Sequence, residues 1–280
     1  MESRNDWLQI LVRCKENVKR HIRPLLKTLR EPQPDLGKGA GGDSMKPVDL
    51  AAEKAIIETL QQCGVSFTLV SEESGVKEFG KTPKKCYVTV DPIDGTTNLV
   101  HGLPFYASSI AVSAEPMLSS VYAGLVADLA HDTTYTAQKG KGAYRDGEKI
   151  QSSQHVSLDD AVVGLDLNTY RVREIAPQVT RLIEATKHIR HFGANALELC
   201  YVAEGLTDAF VDIRGKIRTT DTAAGFLILR EAGGIITTPE GKALNAKLDP
   251  KETVKFVASG NQQVHENILS LIQSRKEKQC

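Results

Sequence analysis

Tyr87-Val88-Thr89-Val90-Asp91-Pro92-Ile93-Asp94-Gly95-Thr96-Thr97-Asn98 is the stretch on which the reading of this chain turns. β-Branched and aromatic residues run straight into Asp91, which predicts a strand over 87–91 with a carboxylate at its end, where mixed α/β folds open a crevice. Pro92 fixes the turn and Ile93 leaves its backbone carbonyl free. Asp94 returns to the side of Asp91 if the chain begins to curl helically. Gly95 and Thr96 then offer N–H groups and a hydroxyl at a helix start, a natural seat for a phosphate. Two aspartates held this close repel each other unless cations compensate. Hard oxygen ligands favour magnesium, with manganese as a substitute. Alone, the run also fits an ordinary Asp-Pro, Asp-Gly loop.

Two segments farther out shift the balance. Ser71-Glu72-Glu73-Ser74-Gly75 follows a predicted strand over 65–70, so Glu72 reaches a sheet end as Asp91 does. Ile217-Arg218-Thr219-Thr220-Asp221-Thr222-Ala223-Ala224-Gly225 places Asp221 as N-cap of a small-residue helix that can pack close to a neighbour. Singly, these are a solvated acidic pair and a capped helix.

Around them, apolar residues from Trp7 to Leu29 recur at three- and four-residue steps, one face of a helix that Pro24 should kink. A Pro-rich break and a glycine-rich loop over 37–43 precede a helix over 48–63. Strands are predicted over 65–70, 87–91, 108–113, 121–127 and 133–137, with a hairpin turn at Asp146-Gly147. Beyond about residue 155 strands and helices alternate: strand 161–166, helix 172–186, a strand, helix 194–204, strand 208–213, helix 221–232, strands 234–238 and 253–259, helix 262–275. The fold class is α+β to α/β, with a mostly antiparallel half over 1–155 and an α/β half over 156–280.

Composition removes other classes. The 280 residues are 41% hydrophobic and 25% charged, with 35 basic and 35 acidic side chains. That balance leaves no global field for nucleic acid or an anionic membrane. Five cysteines without a Cys-x-x-Cys pair fit a reducing cytosol. A polar N-terminus and the lack of any apolar run of roughly 18 residues point to the cytoplasm. No nucleophile elbow, zinc helix or phosphate loop occurs. Gly37-Lys38-Gly39-Ala40-Gly41-Gly42 matches a dinucleotide pattern but follows no strand, so it reads as a mobile loop carrying Lys38 toward the metals. His188 and His191 read as sheet-edge or substrate-side residues, and His101 as structural or at the surface.

Together the three acidic segments resemble the inositol monophosphatase family of magnesium-dependent, lithium-sensitive phosphatases, over nearly the whole chain. Gly39-Ala40-Gly41-Gly42-Asp43, Phe192-Gly193-Ala194-Asn195-Ala196 and Ala209-Phe210-Val211-Asp212 look closest to the archaeal-type branch acting on inositol monophosphate and fructose 1,6-bisphosphate. The resemblance implies a layered αβαβα sandwich and a homodimer. It implies that Glu72, Asp91 and the Ile93 carbonyl hold a first magnesium, that Asp91, Asp94 and Asp221 hold a second, and that a third sits near Glu72. Most of these ligands lie in 1–155, while Asp221 and the substrate-side residues lie in 156–280. Gly95 and Thr96 would bind the phosphate, Thr96 with Asp49 would help activate the attacking water, and Asn195 and Asp212 would meet substrate hydroxyls. Arg171, Arg173, Arg190, Lys216 and Arg218 are the cations available for a distal phosphate. One departure is Thr220, where many relatives carry tryptophan, which bears on the substrate-side wall of the pocket.

The expected activity is metal-assisted hydrolysis of small sugar and polyol phosphates. A neighbouring reading is a phosphatase for 3′,5′-bisphosphonucleotides or NADP. A reading of another class is a non-catalytic metal- or phosphate-binding scaffold, against which stands the presence of every acidic residue the site requires.

Overall fold

The computed structural model describes residues 6–29, 31, 34–154, 156–168 and 172–273. In chain order the elements are α1 (Trp7–Ile22), α2 (Pro47–Gln62), β1 (Phe67–Ser71), β2 (Gly75–Phe79), β3 (Tyr87–Asp94), α3 (Thr96–His101), β4 (Ala107–Ser113), β5 (Val121–Asp128), β6 (Thr133–Gln138), β7 (Gly142–Arg145) and β8 (Glu148–Ile150). There follow β9 (Val162–Leu165), α4 (Val172–Glu184), β10 (His188–Arg190), α5 (Asn195–Glu204), β11 (Ala209–Arg218), α6 (Thr219–Glu231), β12 (Ile235–Thr237), β13 (Thr253–Ser259) and α7 (Gln262–Gln273).

The strands form two sheets. The first has the order β2-β1-β3-β4-β5-β6-β7-β8. Its β1 and β3 run parallel, and its other neighbours are antiparallel. The second has the order β10-β9-β11-β13-β12, with β9 parallel to β10 and β11, and β13 antiparallel to β11 and β12.

Alternation along the strands sorts side chains into three apolar layers. On one face of the first sheet, Ile110 and Leu125 meet Leu11 and Val18 of α1 and Ile56 and Leu60 of α2. On the other face, Ala111 and Val126 meet Leu197 of α5 and Ala224 and Ile228 of α6. Those two helices also cover Phe210 and Phe256 of the second sheet. The far side of that sheet, through Leu165, Val211 and Val257, is closed by Ile175 and Val179 of α4 and Ile268 of α7. The result is an αβαβα sandwich.

Because α6 lies between two sheets, it is buried all round from Thr219 to Leu229. Two glycines allow its close approach. A Cβ on Gly124 of β5 would stand 3.3 Å from the Ala224 backbone, and one on Gly225 would stand 2.8 Å from Leu199 Cβ.

Several elements differ from the sequence reading. α1 stops at Ile22, and Pro24 leads into a short 3₁₀ turn over Leu25–Lys27 instead of a kink, because proline cannot donate to the preceding turn. β2 is an unpredicted edge strand. β11 extends to Arg218 with a register irregularity after Asp212. The Asp146-Gly147 turn has positive φ at both residues (49° and 87°), as a two-residue hairpin with right-handed twist requires. The end of the predicted 262–275 helix lies outside the described residues.

Candidate active site

Asp91 and Asp94 are brought together by a β-bulge, not by a helical curl. In a regular strand, residues three apart face opposite sides. Asp91 pairs with Ser109 and Asp94 with Ala107, so β3 advances three residues while β4 advances two. The extra residue returns Asp94 to the face of Asp91. Pro92, with no N–H to give to a ladder, sits where the bulge leaves a residue unpaired. The chain then turns through Gly95 in the left-handed region (φ 85°), where a Cβ would lie 2.9 Å from Ala194 Cβ and 3.0 Å from the Phe105 carbonyl. α3 starts at Thr96.

β1 runs parallel beside β3, and its continuation delivers Glu72, whose N–H donates to the Val90 carbonyl at 3.3 Å. From the other sheet, β11 leads directly into α6. Asp221 is the third residue of that helix and not its N-cap; it accepts from the N–H of Arg218, which is the N-cap (3.3 Å). Glu72, Asp91 and Asp221 place carboxylate oxygens within 4.8 Å of one another.

The charge in this crevice is poorly compensated. Burial first, and then the neighbouring carboxylates Glu72, Asp221 and Asp94, push Asp91 well above the usual carboxylate range. Burial and Asp221 raise Asp94 and Glu72 too. Asp221 is raised by burial against the opposing pull of Arg218. Asp94 is held by the N-terminus of α5, accepting from the N–H groups of Asn195 (3.0 Å) and Ala196 (2.6 Å). By contrast, Asp91 Oδ1 is buried with no hydrogen-bond partner. A buried, unpartnered carboxylate oxygen facing two further carboxylates is the donor set a hard divalent cation requires.

Asp49 and Thr96 stand at one edge. The Thr96 hydroxyl can donate to Asp49 Oδ1 (3.1 Å) or to the Ile93 carbonyl (2.8 Å). Asp49 is buried at the start of α2, accepts from the Lys46 N–H (3.1 Å), and is pushed up to about 6 by burial. Beside it lie acids that the motifs did not single out. Glu53 accepts from the Ser71 hydroxyl and from the Ser74 N–H (3.1 Å). Glu73 is raised to about 7 by burial and by the charges of Asp49 and Glu53.

The glycine-rich loop is laid along this acidic edge. The N–H groups of Ala40 and Gly41 donate to the carbonyls of Glu73 (2.9 Å) and Glu72 (2.8 Å). A Cβ on Gly41 would stand 2.9 Å from Glu72 Cγ, and one on Gly39 would stand 3.0 Å from Glu73 Oε2, so a larger residue at either place would push on these acids. Lys38 is exposed, and among the described residues no ion pair joins it to the carboxylates. The cation in the crevice is instead Arg218, whose Nη2 donates to Glu72 Oε1 at 2.5 Å.

The substrate-side predictions divide. Asn195 lies beside the acids, with Nδ2 3.4 Å from Asp221 Oδ2. Asp212 is fully buried and engaged by Arg214, which donates its Nε to Oδ2 at 2.7 Å and its N–H to Oδ1 at 2.8 Å, so it is not an open acceptor. Arg214 also pairs with Asp166, which in turn meets His191. Arg190 is exposed on the edge strand β10, its Nη1 donating to the Ile189 carbonyl at 2.9 Å. Arg173 and Lys216 are exposed as well, and Arg171 lies outside the described residues. His188 is on the same edge strand, and His101 is exposed at the end of α3. Thr220 is buried and donates its hydroxyl to Asp221 Oδ1 at 2.9 Å, so this departure acts on the acidic cluster itself.

Comparison with known proteins agrees with this architecture. A sequence profile of the Inositol monophosphatase family matches residues 8–277. The fructose-1,6-bisphosphatase/inositol-1-monophosphatase of Methanothermobacter thermautotrophicus is 37% identical over 276 residues, covering 95% of this chain and 96% of that protein. A bifunctional NADP phosphatase/NAD kinase of Methanococcus maripaludis is 32% identical over an alignment of 290 residues, covering 96% of this chain and 50% of that protein. The crystal structure of an inositol monophosphatase-fructose 1,6 bisphosphatase superposes with a TM-score of 0.84 at 28% identity, covering 95% of this chain and 99% of that one.

Proposed function

The chain belongs to the inositol monophosphatase family, and from that membership we propose that it is a magnesium-dependent phosphatase releasing phosphate from inositol monophosphate, fructose 1,6-bisphosphate or both. The observation that carries the metal dependence is the convergence of Glu72, Asp91 and Asp221 to within 4.8 Å around an unpartnered Asp91 oxygen. Glu72, Asp91 and the Ile93 carbonyl would hold one ion. Asp91, Asp94 and Asp221 would hold a second, and a third would sit near Glu72, with manganese as a substitute. When bound, such ions supply the charge that eases deprotonation of an attacking water and takes up negative charge on the leaving alkoxide.

The chain's own groups have distinct tasks in this reading. Ionised Asp49 accepts a hydrogen bond from the Thr96 hydroxyl, which orients the hydroxyl lone pairs toward the attacking water. The Gly95 and Thr96 N–H groups receive the phosphate. The Asn195 amide stands beside Asp221 to meet a substrate hydroxyl, Arg190 offers an exposed guanidinium to a distal phosphate, and Asp212 contributes indirectly by fixing Arg214. Residues 1–155 thus carry most of the metal set, and 156–280 the substrate side together with Asp221.

Phosphate release from inositol 1-phosphate and fructose 1,6-bisphosphate is expected with magnesium, abolished by chelator and inhibited by lithium. Asp94→Asn, which keeps the shape and removes the charge, is expected to lower kcat by at least about 10²-fold; unchanged hydrolysis would remove the assigned role. A second reading, hydrolysis of the NADP 2′-phosphate, is favoured by the similarity to the bifunctional NADP phosphatase/NAD kinase. Comparing kcat/KM on NADP and on the two sugar phosphates separates the readings. The enzyme is further proposed to be a cytoplasmic homodimer. No helix among the described residues is long and apolar enough to cross a membrane. Light scattering should give a mass near twice 30.5 kDa, and the single-chain mass would exclude the dimer.

A further inference from the structure

Arg218 is the last residue of β11 and the N-cap of α6, so the junction of strand and helix throws its side chain into the acidic crevice. One side of the guanidinium faces the carboxylates. Nη2 donates to Glu72 Oε1 at 2.5 Å, and Nε stands 3.6 Å from Asp221 Oδ1. The other side faces the glycine-rich loop. Nη1 and Nη2 each donate to Asp43 Oδ2 at 2.8 Å, and Nη1 donates to the Gly41 carbonyl at 3.1 Å. The Arg218 side chain is 17% exposed, while that of Asp43 is 75% exposed.

The fit on the carboxylate side is incomplete. Arg218 Nε is buried without an acceptor, and Asp91 Oδ1 is buried without a donor. A planar fork carrying one positive charge reaches the rim acids, Glu72 and Asp221, and leaves the deepest one uncovered. A compact divalent ion seated among the same three carboxylates would reach all of them, but it would need the Glu72 and Asp221 oxygens that Arg218 now faces. Two cations cannot share that space without strong repulsion. On the loop side, Asp43 and the Gly41 carbonyl already accept from both terminal nitrogens of the guanidinium.

We propose that Arg218 is a positioning residue that stands in for the metal: it holds Glu72 and Asp221 together in the ion-free protein and withdraws onto Asp43 and the Gly41 carbonyl as the ion enters. Arg218 therefore sets the ion concentration at which the site fills. The inference rests on the metal-dependent reading above and adds to it a competition internal to the chain.

The test is magnesium or manganese binding by titration calorimetry above neutrality, without substrate, on the full chain. Arg218→Met keeps the length and apolar stem of the side chain and removes its charge. It is expected to lower the ion Kd on the order of tenfold, while lowering the thermal midpoint in chelator. Asp43→Asn, on an exposed side chain, is expected to raise the Kd by about threefold, because after withdrawal Asp43 is the guanidinium's sole charged partner, whereas in the ion-free protein Glu72 shares it. An Arg218→Met Kd equal to or weaker than that of the unmodified chain would overturn the proposal. So would an Asp43→Asn Kd that does not move, and that arm stands even if Arg218→Met fails to fold. If the unmodified chain binds neither ion, with no saturable heat and no rise of the thermal midpoint over that in chelator, the metal-dependent reading fails and this inference falls with it. Binding by the unmodified chain without tightening in Arg218→Met overturns the competition alone.

Discussion

Thr220, expected on the substrate-side wall of the pocket, touches Asp221 instead. Its buried hydroxyl donates to Asp221 Oδ1 at 2.9 Å, so it fixes the direction in which that carboxylate offers its free lone pairs. Outer hydrogen bonds of this kind are worth roughly 10–100-fold in metal affinity or activity. Thr220→Val keeps the shape and removes the donor, so calorimetry should show magnesium binding at least about tenfold weaker with little loss of folding stability. Equal affinity would show that Asp221 is oriented by the backbone alone. Asp49 gives a second prediction at this scale. Burial raises it to about 6, and only its ionised form accepts freely from Thr96. The kcat/KM profile should therefore rise with pH through about 6 and flatten above, and Asp49→Asn should lose that limb along with most of the rate. A limb that persists in Asp49→Asn belongs to another group.

Among the elements, legibility followed burial. The strand of β3 as far as Asp91 is readable because β-branched residues mark a strand buried along nearly its whole length, and β13 because Val254, Phe256 and Val257 are buried in it. β2 was missed because it is a polar edge strand with Val76 exposed, and little separates such a segment from a loop. The three acidic segments could be read as metal-directed, but how they meet could not. The bulge after Asp91 depends on the register against β4, a long-range property that Asp-Pro-Ile-Asp only hints at through its proline. The spacing of Asp221 suits an N-cap, yet Arg218 holds that position because β11 runs five residues farther than its apolar pattern indicates. Glu53 and Glu73 gave no signal, since acids on a helix and in a turn are ordinarily solvated. The small residues of α6 were legible, and they yield a prediction. Gly225 packs where a Cβ would meet Leu199 Cβ at 2.8 Å and the Ala196 carbonyl at 3.2 Å. Gly225→Val should cost roughly 1–3 kcal/mol in urea unfolding through overpacking. It should also weaken ion binding, because α6 carries Asp221 and α5 holds Asp94. A variant as stable as the unmodified chain would show that the two helices can separate freely.

For the whole molecule, the crevice is a joint between two sheets, with Glu72, Asp91 and Asp94 from one and Asp221 from the helix continuing the other. Folding therefore drives like charges together, and its effect on stability has a definite sign. Burial and neighbouring carboxylates raise Glu72, Asp91, Asp94 and Asp221, and Glu73 is raised to about 7. A carboxyl group raised by folding keeps its proton in the native state at pH values where the unfolded chain has already lost it. Stability is then greatest below the unfolded values near about pH 4 and falls as pH climbs toward and past the native ones. In chelator, the thermal midpoint should drop steadily between about pH 5 and about pH 8. A divalent ion that binds only the folded chain cancels the repulsion. At a hundredfold excess over Kd it adds about 2.7 kcal/mol, or about 5 °C for a chain of this length. Because protons and the ion compete for the same oxygens, that gain should widen as pH rises. Scanning calorimetry at several pH values, with and without magnesium, reads both slopes. A midpoint in chelator that stays level across the range, or a magnesium shift that shrinks toward alkaline pH, would mean that the carboxylates are not held against one another as the fold places them.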